Sequence, residues 1–177
     1  MTSFIEGDRV VLRPVEEDDL AFVRDGANDP EIRRAAGGQS FPTNLHAERE
    51  YWTDATEDPT AVHLIIEAGG ERVGAVELDP LDRETGTATV AYWIASDHRR
   101  EGYARETLEL VCAYVFDECR LHRLQAEVFG FNEASRELLE SAGFREEGVH
   151  REDDFVDGAY VDTHHFGLLE REWRERE

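Results

Sequence analysis

The residues best suited to chemistry lie in one short run, Arg99-Arg100-Glu101-Gly102-Tyr103-Ala104-Arg105, just ahead of a long stretch with helical periodicity. A turn that enters a helix exposes the N–H groups of the first helical turn. The helix dipole adds partial positive charge there, so a pyrophosphate can be held mainly by backbone. Gly102 and Ala104 let that backbone approach a ligand closely, and Arg99, Arg100 and Arg105 add charge that stands out in an otherwise acidic chain. The plain alternative is a glycine-containing turn with solvated arginines. No Gly-Lys-Ser/Thr follows the glycine, which argues against a phosphate-loop NTPase. Cys112 and Cys119 lack the paired short spacing of a zinc site and fit one buried face of a helix. His164 and His165 are adjacent, so in a strand they point to opposite sides and cannot share a metal. No metal site is expected.

The elements that must position this turn follow from periodicity. Asp8 to Val15 predicts a first strand. A helix then starts near Asp18 and Asp19 and stops at Asn28-Asp29-Pro30. Gly37-Gly38 and Pro42 mark an irregular segment before a second helix from about Asn44 to Ala55. Ala61 to Ala68, Arg72 to Leu78 and Thr85 to Ile94 predict an antiparallel meander, with Gly69-Gly70 as its tight hairpin. Ala104, Leu108, Val111, Val115 and Cys119 recur at helical spacing, predicting a helix over Gly102 to Arg120. Leu124, Ala126 and Val128 alternate as a strand, and Asn132 to Ser141 forms a short helix ended by Gly143. Strands near Arg145 to His150 and Ala159 to Leu168 complete the order βααβββαβαββ, with a frayed end from Glu170 to Glu177. The fold class is therefore α/β, a mixed, mostly antiparallel sheet flanked by helices, in a single domain over residues 1–177.

The formal charge is −22, and all 19 basic residues are arginine, with no lysine. Such a field disfavours nucleic acid, because it repels phosphate. It would attract a cationic partner, or it is a solvated surface of an acidic proteome, of the kind a halophile carries, where molar salt screens self-repulsion. No stretch reaches the roughly 18 apolar residues of a membrane span, and Met1 to Arg13 lacks a signal-peptide pattern, so a cytoplasmic chain with no membrane partner is expected.

Arg99-x-x-Gly102-x-Ala104 resembles the (Gln/Arg)-x-x-Gly-x-(Gly/Ala) acetyl-CoA motif of the GCN5-related N-acetyltransferases, and the element order matches their fold. Asn132-Glu133-Ala134-Ser135 and Ser141-Ala142-Gly143-Phe144-Arg145 are similar to the Asn-x-x-Ser and Ala-Gly-Phe signatures of the ribosomal-protein N-terminal acetyltransferase branch. Gly148, Arg151 and Asp157-Gly158-Ala159-Tyr160-Val161-Asp162 extend the likeness nearly to the C-terminus.

The resemblance implies an enzyme moving acetyl from acetyl-CoA to a primary amine, first a protein N-terminal α-amine and second a polyamine, amino acid or aminoglycoside-like molecule. A catalytically inactive acyl-CoA-binding sensor is the runner-up, and a homodimer is left open. The family's splayed strand assigns the backbone of Tyr92, Trp93, Ile94 and Ala95 to the pantetheine arm, with an N–H near Ile94 polarising the thioester carbonyl. The side chains of Tyr92 and Trp93 read as ordinary strand aromatics. Arg99, Arg100, Glu101, Gly102, Tyr103, Ala104 and Arg105 would hold the pyrophosphate. By itself Asn132 is a helix N-cap. The resemblance adds a cofactor contact for Asn132, and makes Ser135 the donor to the departing thiolate as well as a cofactor contact. The usual strand glutamate is missing from Thr87 to Ala91, and the resemblance moves the base to Asp154.

Overall fold

The computed structural model describes residues 3–36 and 41–176. Its sheet contains β1 (Ile5–Glu6), β2 (Val10–Pro14), β3 (Val62–Ala68), β4 (Glu71–Asp82), β5 (Thr87–Ile94), β6 (Arg123–Phe129), β7 (Arg145–Val156) and β8 (Ala159–Leu169). The spatial order is β1-β2-β3-β4-β5-β6-β8-β7, antiparallel throughout except for the parallel β5–β6 pair. Helices are α1 (Leu20–Asn28), α2 (Pro30–Ala35), α3 (Leu45–Glu57), α4 (Tyr103–Ala113), α5 (Glu133–Ser141) and α6 (Glu170–Arg174). This is the expected α/β architecture with a mostly antiparallel sheet.

Alternation sorts the sheet into two faces. Leu64, Val76, Val90, Leu124, Ala126, Phe166 and Leu168 join Leu108, Val111, Cys112 and Val115 of the α4 region and Leu139 of α5 in the main core. On the opposite face Ile65 packs with Leu20 and Val23 of α1, walled by Phe22, Trp52 and Trp93. Both cysteines lie in the main core, and burial pushes the Cys112 thiol up to about 12, which makes it a packing residue and not a nucleophile.

Several boundaries differ from the sequence expectation. Pro30 ends α1 and also opens α2 at its first position, where a missing N–H costs nothing, and Asp29 caps that new helix through the N–H groups of Glu31 and Ile32. The long helix passes into a π-helical stretch over Tyr114–Glu118. β7 runs on to Val156, so Asp154 sits in a strand instead of a connecting segment, and Glu170–Arg174 is helical, not frayed. β1 adds a short edge that pairs Ile5 with Leu12. Gly37 and Gly38 lie outside the described residues. Gly69 and Gly70 take φ values of +60° and +83°, as the tight β3–β4 hairpin requires.

Candidate active site

The site is created by strand separation. β5 and β6 pair only from Thr87–Arg123 to Thr89–Gln125, although β5 continues to Ile94 and β6 to Phe129. Beyond the last pair the strands diverge, and Ala91 is solvent-exposed in the middle of the sheet. A cavity of about 860 Å³ fills the opening and reaches both faces.

One part of the wall is the α4 turn. Gly102 occupies the N-cap with φ +86° and ψ 1°, and Arg100 also has a positive φ of 65°. The first-turn N–H groups from Tyr103 onward have no intrahelical carbonyl to meet, which gives the wall oriented donors. β2 anchors the turn from behind. Glu106 Oε1 accepts from the N–H of Arg9 at 2.7 Å and of Val10 at 3.0 Å, and the Arg9 guanidinium lies 4.8 Å from the Tyr103 ring centroid. Arg9 is thus a further cation beside the turn that its distant sequence position concealed.

Among the expected cofactor residues, Trp93, Ile94, Arg99, Arg100, Gly102, Tyr103, Ala104, Arg105, Asn132 and Ser135 line this cavity, whereas Ala95 and Glu101 do not. The Ala95 N–H is taken up by the Val73 carbonyl at 2.9 Å. The three arginines are also unequal. Arg99 donates to the Ile94 carbonyl at 3.1 Å and to Glu31 at 2.6 Å, pinning the end of β5 to α2. Arg105 pairs with Glu109 at 3.1 Å. Arg100 has no carboxylate partner among the described residues.

Across the opening, α5 presents Ser135. Asn132 Oδ1 accepts from the Ser135 N–H at 3.3 Å, the N-cap expected from its residue type. The Tyr92 hydroxyl lies 3.1 Å from Ser135 Oγ, so the side chain is not merely a packing aromatic. Burial raises the Tyr92 phenol above its ordinary value, partly opposed by the Ser135 hydrogen bond, and the phenol remains a neutral donor at pH 7. Sequence pattern could not bring these residues together, because they sit 43 positions apart on opposite sides of the split. Trp93 does pack as expected. Its ring lies 5.2 Å from that of Phe22, and a Cβ on Gly26 would come within 2.5 Å of it.

A further part of the cavity lining is acidic and aromatic. Glu77, Glu127, Asp153, Asp154, Trp52 and His63 line it. Glu77 pairs with Ala91 in register, and its carboxylate stands 3.4 Å from Nδ1 of the buried His63. Asp154 is exposed and accepts from the Phe155 N–H at 3.0 Å. Ser135 and Asp154 therefore border one continuous space, on different elements.

The sequence profile described as "Acetyltransferase (GNAT) domain" matches residues 9–145. The chain belongs to the GNAT acetyltransferase family: it is an N-acetyltransferase that takes its acetyl group from acetyl-CoA. YdaF of Bacillus subtilis (strain 168), whose name assigns it provisionally to ribosomal N-acetylation, is 35% identical over 112 residues, 61% of each chain. The spermidine N(1)-acetyltransferase of Vibrio cholerae serotype O1 is 25% identical over 95% of this chain and 97% of its own. A crystal structure of the Vibrio cholerae spermidine enzyme with CoA and spermine superposes with a TM-score of 0.90 at 24% identity, over 95% of this chain and 99% of that one.

Proposed function

We propose that this chain acetylates a primary amine that enters from the acidic part of the split, with a protein N-terminal α-amine as the first acceptor class. The observation that carries this reading is one cavity, open through the β5–β6 split, whose lining holds both helix N–H donors and carboxylates. Gly102, Tyr103, Ala104 and Arg105 would hold the pyrophosphate, joined by Arg100 from the turn, and the β5 backbone near Ile94 would meet the pantetheine arm. The amine nitrogen forms a bond to the thioester carbonyl carbon, the C–S bond breaks, and the amine proton leaves toward Asp154. Ser135 gives its proton to the departing sulfur, and Tyr92, hydrogen-bonded to Ser135 Oγ, can replace it. The acidic mouth also supports a small cationic acceptor, since Glu77, Glu127, Asp153 and Asp154 favour any ammonium group. A side-by-side acceptor screen of peptides with free N-termini, spermidine and an aminoglycoside tests the order. Acetylation of the peptides at the highest kcat/KM supports the first class, and turnover restricted to spermidine transfers the assignment to polyamines.

Ser135→Ala is expected to lower kcat by roughly ten- to a thousand-fold with little change in acetyl-CoA affinity, the usual scale of a general acid. The thiolate is a tolerable leaving group, with cysteine's pKa of about 8.5 as a guide, so some turnover remains. Asp154→Asn should reduce kcat/KM most at low pH and least at high pH. That trend follows the acceptor, whose α-amine titrates near a pKa of about 7.7 to 8.0 and supplies its own neutral form above that range. A wild-type pH profile in Asp154→Asn would move the base to Glu77 or to solvent.

A further inference from the structure

We propose that His150, Asp153 and His165 form a binding site for a divalent transition-metal ion, distinct from the groups that handle acetyl-CoA. His164 and His165 do diverge, with His164 Nδ1 facing Glu146 at 2.7 Å and His165 Nδ1 facing Glu127 at 3.4 Å. What sequence adjacency hides is the contribution of β7. Gly148 pairs with His165 and His150 with Thr163, which makes His150 and His165 diagonal neighbours on one face of the ribbon. Gly148 carries no side chain, and a Cβ there would meet nothing within 4 Å, so space is left above His165. The His150 ring occupies that side, with ring centroids 3.9 Å apart.

The register of β7 then breaks between His150 and Asp154. Glu152 takes a φ of +53°, and its N–H donates to Asp162 Oδ1 at 2.9 Å. This bend carries Asp153 back to 3.5 Å from His150 Nδ1. One nitrogen or oxygen from each of the three residues lies within 4.8 Å of the others.

Two features point to a metal ligand set and not to a chance cluster. His165 Nε2 is buried without a hydrogen-bond partner, whereas the opposite ring nitrogen faces the Glu127 carboxylate. A carboxylate on one imidazole nitrogen and a bare second nitrogen is the arrangement that orients a histidine toward a metal. His150 and Asp153 are exposed enough to close the remaining distance by side-chain rotation. Two imidazoles with one carboxylate select Zn²⁺, Co²⁺ or Ni²⁺ over Mg²⁺ or Ca²⁺, with water completing the shell. A bound ion would tie the irregular part of β7 to β8, next to the acidic part of the cavity lining.

Titrating the untagged chain with Co²⁺, followed by its visible absorption and by Zn²⁺ competition, tests this site. One equivalent should bind saturably. His150→Ala and His165→Gln should each weaken binding by at least about ten-fold, while retaining wild-type circular dichroism. His46→Ala, on exposed α3, should leave it unchanged. Absence of a saturable signal overturns the proposal, as does wild-type affinity in either ribbon variant or loss of binding in His46→Ala.

Discussion

Gly102→Val is expected to abolish acetyl-CoA binding, measured by calorimetry at ligand concentrations that saturate the wild type. Gly102 holds φ +86° at the N-cap of α4, a region in which a β-branched residue is a genuine outlier. Space inside the protein is not the obstacle, because a Cβ would stand 3.6 Å from Arg9 Nη1, an ordinary contact. The effect is conformational and steric on the ligand side. Valine must pull the turn toward negative φ, which re-aims the first N–H groups of α4, and its methyls project where a pyrophosphate would meet that backbone. Gly102→Ala should keep measurable binding, weakened about ten-fold by a left-handed penalty of roughly 1–2 kcal/mol. Wild-type affinity in the valine variant would remove the cofactor from this turn.

The largest effect on stability is expected at Asp19, which is fully buried. Its carboxylate accepts from Arg13 Nη1 at 2.7 Å and Nη2 at 3.0 Å, from the Glu16 N–H at 2.8 Å and from Arg72 Nε, while Arg13 Nε also donates to Glu67 at 2.8 Å. The network joins the entrance of α1 to β2, β3 and β4, and so sets α1 against Trp93. Burial alone would raise the Asp19 pKa. The hydrogen bond from Arg13, then those from Glu16 and Arg72, hold it below its ordinary value. Asp19→Ala leaves the nearly buried Arg13 without its main partner, a change that costs about 3–5 kcal/mol. In a domain of this size, that lowers Tm by about 6–20 °C. Because the folded pKa is depressed, the stabilisation is complete above the unfolded value of about 3.9 and is lost as pH falls through the folded value. The stability gap between wild type and Asp19→Asn should therefore narrow in that acid window. A Tm shift under about 3 °C in Asp19→Ala would show that the network contributes little.

The parts legible in the sequence were those governed by local rules. The Gly69-Gly70 hairpin, the apolar stripe of α4 and the Asn132 cap each depend on residues within a few positions of one another. The α4 turn was legible because glycine and arginine spacing reports backbone conformation and charge. What remained hidden depends on which strands become neighbours. Tyr92 meets Ser135 only because β5 and β6 part after three register pairs, and no periodicity encodes that separation. The same holds for His150 against His165. Arg99 adds a contact that its motif position did not report: its guanidinium closes on Glu31 and the Ile94 carbonyl.

The central claim is acyl transfer through the split, and it is tested most directly by release of free CoA thiol from acetyl-CoA with and without a primary amine. The account predicts thiol release that depends on the amine, saturates with it, and yields one acetylated amine per thiol. Acetyl-CoA that binds the chain but releases no thiol with peptide, spermidine or aminoglycoside acceptors would contradict it.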